Sequence, residues 1–452
     1  MFHTRQFTKS IFILSVLCLC FLFLNSVLPQ AKKYPTVKVI KDVSITKDTT
    51  LNAVLPDGFL VSGAIEDSVG VPMVEAGISV REQNYLMMNF TNTDEQGKYK
   101  ISLPKGTYDF RFEPPQDIQQ SESSYAGISR ATSKYVHDVQ ISKAKKWNIK
   151  LDDGVFLEGL VLNDLGLPAS GSVLYAEDLS DTIAYSAYVN SETGNFRIAL
   201  PVGMYALNVI RAFQSSEEVF SPFTNKTLEP IDLKNDTWLD VNLPKGVLVK
   251  GKVRDKKGMK VTAAINFINE KDIDELNPWV RGCTVMSSDS LNGITYQAGL
   301  TKGKYTAQVI PLQYVGSESA YSKRATVKIL KKNIMKNKNL NMTLSDGFLL
   351  SGTVKDQKGK NLELAAVIMT NIKTPLDIFN KTKFMAATLV IEGNYSYPLP
   401  GGSYDVYFIP PPPDFSLETS EWMSTSSRKD LDEWKCLYFI NKLTTNFLKS
   451  LK

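Results

Sequence analysis

Residues that commonly carry catalytic chemistry are scarce in this sequence. Only four of its 452 residues are cysteine and only two are histidine. No spacing of Cys, His, Asp and Glu resembles a zinc site, and neither a nucleophile elbow nor a phosphate-binding glycine loop occurs. The two histidines, His3 and His137, have no partner pattern around them. The sequence therefore predicts a protein that is not an enzyme and that carries no metal or other cofactor.

The chain also lacks a concentrated charge of one sign. Its formal net charge is only +5, and its lysines are scattered along the sequence. A nucleic-acid-binding surface usually needs a basic cluster, so we expect no nucleic-acid partner. The hydrophobic content of 43% is ordinary for a folded protein, which argues against general disorder.

The first residues form the one long apolar run. Arg5 and Lys9 precede a stretch from Ile11 to Leu28 that is broken only by Ser15 and by the pair Asn25 and Ser26. A basic start followed by an apolar run is typical of a secretory leader. The run is long for a cleaved peptide and lacks a clear cleavage site, so a signal peptide and an uncleaved signal anchor both remain open. An extracytoplasmic location is expected, secreted, periplasmic or at the cell surface, with membrane contact only through an uncleaved leader.

Two cysteines, Cys283 and Cys436, remain outside the leader. Two cysteines in so long an exported chain do not make a disulfide framework. They either pair with each other or are two unrelated thiols. In both cases the chain has to be stabilised mainly by burying apolar surface.

One motif recurs four times along the chain. It combines an apolar residue, a glycine turn and an apolar stretch that ends in a second glycine, over Leu55–Gly63, Leu151–Gly159, Leu243–Gly251 and Leu344–Gly352. A second motif ends in Gly-x-Tyr and follows each copy, with its tyrosine at Tyr108, Tyr205, Tyr305 and Tyr404. The copies lie one domain length apart, which indicates separate modules in tandem.

Within each copy the pattern is one of strands and turns. Tyr99–Leu103 and Phe196–Leu200 alternate apolar and polar residues, as a half-buried strand does, and a glycine turn precedes each. No amphipathic helix interrupts a copy. The predicted fold class is all-β: four tandem Ig-like or transthyretin-like β-sandwich modules behind an N-terminal hydrophobic leader.

The order of these motifs resembles a known family. A small residue such as Ala76, a Thr93-Asp94-x-x-Gly97-x-Tyr99 hairpin and a Leu-Pro-x-Gly-x-Tyr turn follow one another as in the carboxypeptidase regulatory-like domain. That domain is transthyretin-like and belongs to the carbohydrate-binding-like fold group. The resemblance covers Leu55 to about Pro413 and is weakest in the third copy, where Thr301 replaces proline. It implies an accessory module of exported proteins, without the catalytic domain that gives the family its name.

The motifs also give domain boundaries. The prediction is a signal peptide or signal anchor over 1–31, a leading strand or linker over 32–54, β-sandwiches over 55–151, 152–243, 244–344 and 345–413, and an irregular or helical tail over 414–452.

Two tryptophans are candidate ligand-binding residues. Aligning the copies places Trp147 at a core position shared with Leu51, Leu239 and Leu340. Trp238 falls one residue earlier, so strand alternation predicts that it faces solvent. Trp279 lies in a polar insertion of the third copy. Exposed aromatics are common in sugar-binding sites, although packing between domains explains many of them. The repeated Gly-x-Tyr tyrosine is instead expected to pack and to bond a backbone carbonyl, as in a tyrosine corner.

The two ends of the repeat array are irregular. Val43–Ile45 and Leu51–Leu55 resemble the closing strand of a module, but no module precedes them. The fourth copy has the opposite irregularity, because no equivalent closing strand follows Pro413. A truncated or frame-altered product would explain this. Alternatively, the leading strand completes the last module of a neighbouring chain.

The favoured function is a non-catalytic exported protein whose tandem modules act as structural and adhesive interaction units at the cell surface. The alternatives are a carbohydrate-binding protein and an accessory segment of a larger exported enzyme or transporter. The expected partners are a glycan or an extracellular protein. The segments that differ most between copies, at 117–133, 177–190, 270–287 and 371–385, are the places where recognition is expected.

Overall fold

The structure is a computed structural model of the full chain. It describes residues 34–82, 88–115, 129–180, 184–211, 222–270, 283–286, 296–311, 324–373 and 382–413. Every regular element in these ranges is a β-strand, and none of these ranges contains a helix long and apolar enough to cross a membrane. The leader, Cys436 and the tail after residue 413 lie outside the described residues.

The strands fall into four groups that follow the four sequence copies. Module 1 contains β4 Phe59–Glu66, β5 Gly77–Glu82, β6 Met88–Asn92, β7 Lys98–Leu103, β8 Gly106–Glu113, β9 Lys134–Ile141, β10 Lys145–Lys146 and β11 Ile149–Lys150. Module 2 contains β12 Val155–Leu162, β13 Ser172–Asp178, β14 Ala184–Tyr188, β15 Asn195–Leu200, β16 Gly203–Arg211, β17 Lys226–Thr227, β18 Ile231–Leu233 and β19 Thr237–Asn242.

The second half of the chain repeats this plan. Module 3 contains β20 Val247–Gly251, β21 Val253–Arg254, β22 Ala263–Asn269, β23 Cys283–Met286, β24 Tyr296–Leu300, β25 Gly303–Pro311, β26 Lys328–Ile334, β27 Lys338–Asn339 and β28 Met342–Thr343. Module 4 contains β29 Phe348–Lys355, β30 Leu364–Thr370, β31 Met385–Ile391, β32 Asn394–Leu399 and β33 Gly402–Ile409. Three further strands precede module 1: β1 Lys38–Ile45, β2 Thr49–Thr50 and β3 Ala53–Val54.

The strands of modules 1 to 3 form separate sheets that pack as sandwiches, and in module 4 the two layers are joined into one eight-stranded sheet where β31 pairs with β32. This all-β architecture confirms the predicted fold class. In module 2 the small sheet has the order β15-β12-β19 and the large sheet β14-β13-β16, with β17 and β18 both at the outer edge of β16. The alternation of apolar and polar residues predicted for β7 places its apolar side chains in the core, because Tyr99, Ile101 and Leu103 are all buried. The side chains between the two sheets form one apolar cluster per module.

The glycine that ends the first motif allows two backbones to approach closely. At Gly63, Gly159, Gly251 and Gly352, an added Cβ would overlap the backbone carbonyl of Trp147, Leu239, Leu340 and Leu51, respectively. Each of these carbonyls belongs to the segment that closes the sandwich. Only glycine lets that segment lie directly on the first strand of the module.

The closing segment of module 4 comes from the start of the chain. We call Tyr34–Leu55 the closing segment; its β1 pairs antiparallel with β33, and its β2 and β3 pair parallel with β29. Ile45, Ala53 and Leu55 are buried in the core cluster of module 4. The module that lacks a closing strand in its own stretch of sequence is therefore completed here by a segment of the same chain.

The same junction joins every module to the next. An isolated antiparallel bridge connects the segment before each closing strand with the start of the following module, at Pro35–Asp57, Ala131–Asp153, Phe223–Lys245 and Ala325–Asp346. The closing segment of one module thus runs straight into the first strand of the next. Because the closing segment of module 4 runs into module 1, the four modules follow one another in a cycle.

The large sheets are buried on both faces. Ile368 and Tyr407 of module 4 point away from their own sandwich core, yet they are buried in a cluster that also contains Tyr175 of module 2 and Ile310 of module 3. Phe90 of module 1 packs against the same cluster. The outer faces of the large sheets therefore pack against one another, which an isolated sandwich would leave to solvent.

We call the space between the packed outer faces of the large sheets the inner region. Module 1 contributes charged side chains to it. Arg111 occupies the position of Tyr407 in the repeat and is 2% exposed. Its Nη2 lies 2.6 Å from Oε1 of Glu113, and its guanidinium lies 4.8 Å from the ring centroid of Tyr135. Its Nε and Nη1 have no hydrogen-bond partner in the described part of the chain. A buried ion pair of this kind recovers little net stability, because both charges lose their hydration.

We predict that Gly352→Ala weakens the closure of module 4. The new Cβ would displace the Leu51 carbonyl, so the closing segment must shift, with an expected loss of about 3 kcal/mol in the free energy of unfolding. Hydrogen exchange of the β1 amides should rise together with this loss. Ser351→Ala, one residue earlier on the outer face, is the matched control. Unchanged protection of β1 in the Gly352 variant would contradict the proposed close contact.

We predict opposite outcomes for two replacements of the buried ion pair. Arg111→Met removes the cation beside buried Glu113 and should cost about 3–5 kcal/mol. The double change Arg111→Tyr with Glu113→Ile copies Tyr407 and Ile409 of module 4 and should be neutral or stabilising. Urea denaturation of both variants provides the measurement. A double variant that is less stable than the unaltered chain would show that the ion pair is a net source of stability.

Candidate functional site

Trp238 lies on the outer face of the small sheet of module 2. Its neighbours Leu239 and Val241 face the core, and strand alternation turns Trp238 outwards, where it is 59% exposed. The indole Nε1 donates a 2.7 Å hydrogen bond to Oδ1 of Asp240. The solvent-facing orientation predicted from the repeat alignment is therefore present, while binding by Trp238 stays a prediction.

A row of charged side chains continues from Trp238 across the sheet. Trp238 lies beside Glu158 of β12, which in turn lies opposite Arg197 of β15. Arg197 Nε is 2.6 Å from Glu158 Oε2. The guanidinium of Arg197 lies over the ring of Phe156 at 4.7 Å from its centroid. The carboxylate and guanidinium hold each other in a fixed orientation beside the exposed indole.

A second arginine covers Phe156. Arg130 comes from the junction between modules 1 and 2, and its guanidinium lies 4.4 Å from the Phe156 centroid. It forms a bidentate ion pair with Asp236, in which Nη1 lies 2.9 Å from Oδ1 and Nη2 lies 2.6 Å from Oδ2. Asp236 also accepts a hydrogen bond from the Phe156 amide, and the hydrogen bond from Arg130 lowers the pKa of its carboxyl well below the usual range. The stacking of two arginines on Phe156 was not predicted from the sequence. The sequence pattern that indicates it is the recurrence of Arg130 as Arg324 and of Asp236 as Asp48.

Module 2 alone combines an aromatic ring with this charged row. The residues equivalent to Trp238 in the other modules are Thr50, Lys146 and Asn339. An exposed ring beside polar groups of fixed orientation can stack on the apolar face of a sugar while the polar groups bond its hydroxyls. The row offers no nucleophile with an adjacent base.

The other candidates from the sequence are distributed as follows. Trp279 lies outside the described residues, as does some part of each of the four variable segments. Cys283 lies on β23, at the edge of the large sheet of module 3. His137 is exposed, with its Nδ1 3.4 Å from Oδ1 of Asp109. Among the described residues, no group of three or more His, Cys, Asp and Glu is placed to hold a metal ion.

The Gly-x-Tyr tyrosines are structural. All four rings are buried, and each hydroxyl donates a hydrogen bond to the backbone carbonyl four residues earlier. The four bonds are Tyr108 to Pro104 at 3.0 Å, Tyr205 to Pro201 at 2.7 Å, Tyr305 to Thr301 at 2.9 Å and Tyr404 to Pro400 at 2.9 Å. This is the role that the repeat pattern predicts. Trp147 is also a packing residue, since its ring contacts Phe110 and Phe112 in the core of module 1.

The second candidate site is the edge of module 4 that receives the closing segment. We call the edges of β33 and β29 that pair with this segment the acceptor edge. Arg324 binds Asp48 through two bonds of 2.7 and 2.9 Å, and the Leu349 amide donates to the same carboxylate. The hydrogen bond from Arg324, with that of Leu349, lowers the pKa of Asp48 to about 2. The arrangement repeats that of Arg130, Asp236 and Phe156 between modules 1 and 2.

A β-bulge fixes the register of β1 on the acceptor edge. The register shifts between Ile40 and Val43, where Asp42 adopts a φ of 56°. The Asp42 amide donates a 2.9 Å bond to Asp405 of β33, and Lys373 lies 2.8 Å from Asp42 and 2.5 Å from Asp405. A bulge with one residue in the left-handed region pins one register against its neighbours.

The closing strand of module 1 carries the same bulge. Asp138 has a φ of 58°, and its amide donates a 3.2 Å bond to Asp109, which Arg81 holds at 2.9 Å. Asp138 and Asp109 correspond to Asp42 and Asp405 in the repeat. The N-terminal strand is thus built as the closing strand of a module, with the contacts that such a strand makes elsewhere in the chain.

No family model and no curated protein match this sequence. Among solved structures, BcpA, the major pilin subunit of Bacillus cereus, is similar over 64% of this chain and 99% of its own, at 12% identity and a TM-score of 0.17. A streptococcal ancillary pilin is similar over 64% of this chain and 98% of its own, at 12% identity and a TM-score of 0.18. The Bacillus anthracis TIE protein matches at 14% identity and a TM-score of 0.17, over 64% of this chain and about half, 51%, of its own. At these values the likenesses carry no argument about function, and the chain stands as an all-β protein of four sandwich modules.

Proposed function

We propose that this chain is a non-catalytic exported protein whose four β-sandwich modules act as structural and adhesive interaction units at the cell surface. The observation that carries the proposal is the cyclic closure of the modules. The closing segment ties module 4 to module 1, and the large sheets bury their outer faces against one another. The outer faces of the small sheets and the loops between strands are then the surfaces left for partners. The hydrophobic leader supports an extracytoplasmic location.

The resemblance to carboxypeptidase regulatory-like domains belongs to the same proposal. The motifs that carry it have structural roles here: the glycines permit close backbone contact and the tyrosines bond backbone carbonyls. Modules of that kind accompany other functions in exported proteins, which also keeps an accessory role beside an enzyme or transporter on another chain as an alternative.

We predict saturable binding of the chain without its leader to an immobilised extracellular protein. Fibronectin, fibrinogen and collagen on biosensor tips are the probes. Replacing residues 271–282, which include Trp279, with a glycine–serine linker of equal length tests one variable segment. The matched control replaces the exposed turn residues Lys256 and Lys257 of the same module with glycine and serine, outside the four variable segments. Absence of binding to all three proteins, and to the sugars described next, would contradict an adhesive role.

Glycan binding is the second candidate function, and the exposed Trp238 beside the Glu158–Arg197 pair favours it. We predict that Trp238→Thr, which copies Thr50 of module 4, lowers binding to a glycan array at least about tenfold, since stacking supplies over 1 kcal/mol. Leu165→Ala is the control, because Leu165 is 60% exposed in a turn of the same module. Both changes should leave stability within about 0.5 kcal/mol. Equal glycan binding by both variants would exclude Trp238 as the site.

A further inference from the structure

The cycle of modules contains one joint that differs from the others. Each of the first three modules closes with strands that follow, next in sequence, the large-sheet strand with which they pair: β9 after β8, β17 and β18 after β16, and β26 after β25. Module 4 closes with β1, which lies far away in sequence from β33, its antiparallel partner. The closing segment continues covalently into module 1, whereas its contacts with module 4 are all non-covalent. The cycle can therefore open only at the acceptor edge without unfolding a module that is continuous in sequence.

The contacts at that joint are directional and specific. The Tyr395 hydroxyl donates a 2.6 Å bond to the Leu51 carbonyl, and the Thr353 amide donates a 2.9 Å bond to Asn52 Oδ1. The Leu51 amide donates a 2.8 Å bond to the Ser351 carbonyl. With the Arg324–Asp48 pair and the bulge at Asp42, these contacts fix the sequence, direction and register of the strand that the acceptor edge receives.

We propose that the closing segment is exchangeable and that a second copy of this chain can supply it to the acceptor edge. An opened chain presents the closing segment at one end of the module array and the acceptor edge at the other. The two surfaces differ but are complementary, so copies can join head to tail, as closed exchanged dimers or as longer arrays. The partner's segment makes the same backbone pairs, ion pairs and core contacts as the chain's own.

The protein concentration decides whether the closing segment binds the acceptor edge of its own chain or that of a second copy. Closure within one chain benefits from the high effective concentration of a segment tethered to module 1. Exchange between chains makes the same contacts and becomes populated when the chain concentration approaches that effective value. The packing of the large sheets around the inner cluster raises the barrier to opening, so exchange requires unfolding and refolding or a slow local opening.

Single-cysteine chains test the exchange directly. Ser44 and Ser403 are both exposed and are directly paired between β1 and β33. Chains without the leader, with Cys283 and Cys436 changed to alanine, carry either Ser44→Cys or Ser403→Cys. A mixture is unfolded in urea, refolded at low and high protein concentration, and oxidised. We expect a disulfide-linked heterodimer that increases with concentration. One chain carrying both cysteines should form an intramolecular disulfide when dilute.

The control separates strand exchange from random disulfide formation. Ser191→Cys places an exposed cysteine in a turn of module 2, away from the acceptor edge. Mixed with the Ser44→Cys chain, it should give no more dimer than either chain alone. Equal heterodimer yield from the Ser191 and Ser403 chains would overturn the proposal, as would a complete lack of heterodimer at high concentration while the doubly substituted chain crosslinks within itself.

A charge exchange gives a second readout that needs no cysteine. Asp48→Arg places two arginines together within one chain, and Arg324→Asp places two carboxylates together. In an exchanged dimer of these two variants, each joint again contains one arginine and one aspartate, whereas each variant alone has like charges. Size-exclusion chromatography with light scattering should show dimer after refolding the mixture and a several-fold smaller fraction for either variant alone. A mixture that remains as monomeric as its components would overturn the proposal.

Discussion

The whole arrangement depends on the passage of each closing segment directly over the first strand of its module. At that crossing a carbonyl oxygen occupies the space that a side chain would take, so the second glycine of each motif is a steric requirement. The crossing fixes the parallel pairing of the closing segment with the first strand. It also brings the segment to the point where the next module starts, and the repeated junction follows from it.

The inner region extends this constraint to all four modules. Once the junctions set the modules in a cycle, the outer faces of the large sheets have to meet. Module 4 contributes mostly apolar side chains, modules 2 and 3 add buried uncharged polar ones such as Asn208 and Gln308, and module 1 brings the charged Arg81, Asp109, Arg111 and Glu113 to its large sheet. Buried polar groups fix the relative orientation of the packed surfaces more than they add to the free energy of unfolding. Module 1 is therefore the part of the inner region whose packing is the least apolar.

Sequence reasoning could predict the local structure because it is encoded locally. Alternation in β7 and β15, turn glycines and the packed tyrosines all follow from neighbouring residues, and the outward orientation of Trp238 follows from aligning copies. The burial of both faces of the large sheets was not predicted from the sequence. Strand β30, Leu364–Thr370, is apolar except for its last residue, and all of its residues are buried. A continuous apolar strand of this kind indicates burial on both faces. The closure by β1 joins residues that no local rule connects. Its signals were the spare closing strand before module 1 and the missing one after module 4, together with the recurrence of Asp236 and Arg130 as Asp48 and Arg324. Closure within the same chain was not among the expected explanations.

The position of the closing segment makes the integrity of module 4 depend on residues at the other end of the repeat array. A fragment that starts at the apparent first motif, near Leu55, would keep every repeat signature and yet remove the strand that seals the last sandwich. Proteolytic removal of residues 34–45 would have the same effect, with the damage appearing more than three hundred residues away at β33, since Lys38 pairs with Phe408. Module 4 is therefore discontinuous in sequence, because its strands come from both ends of the repeat array.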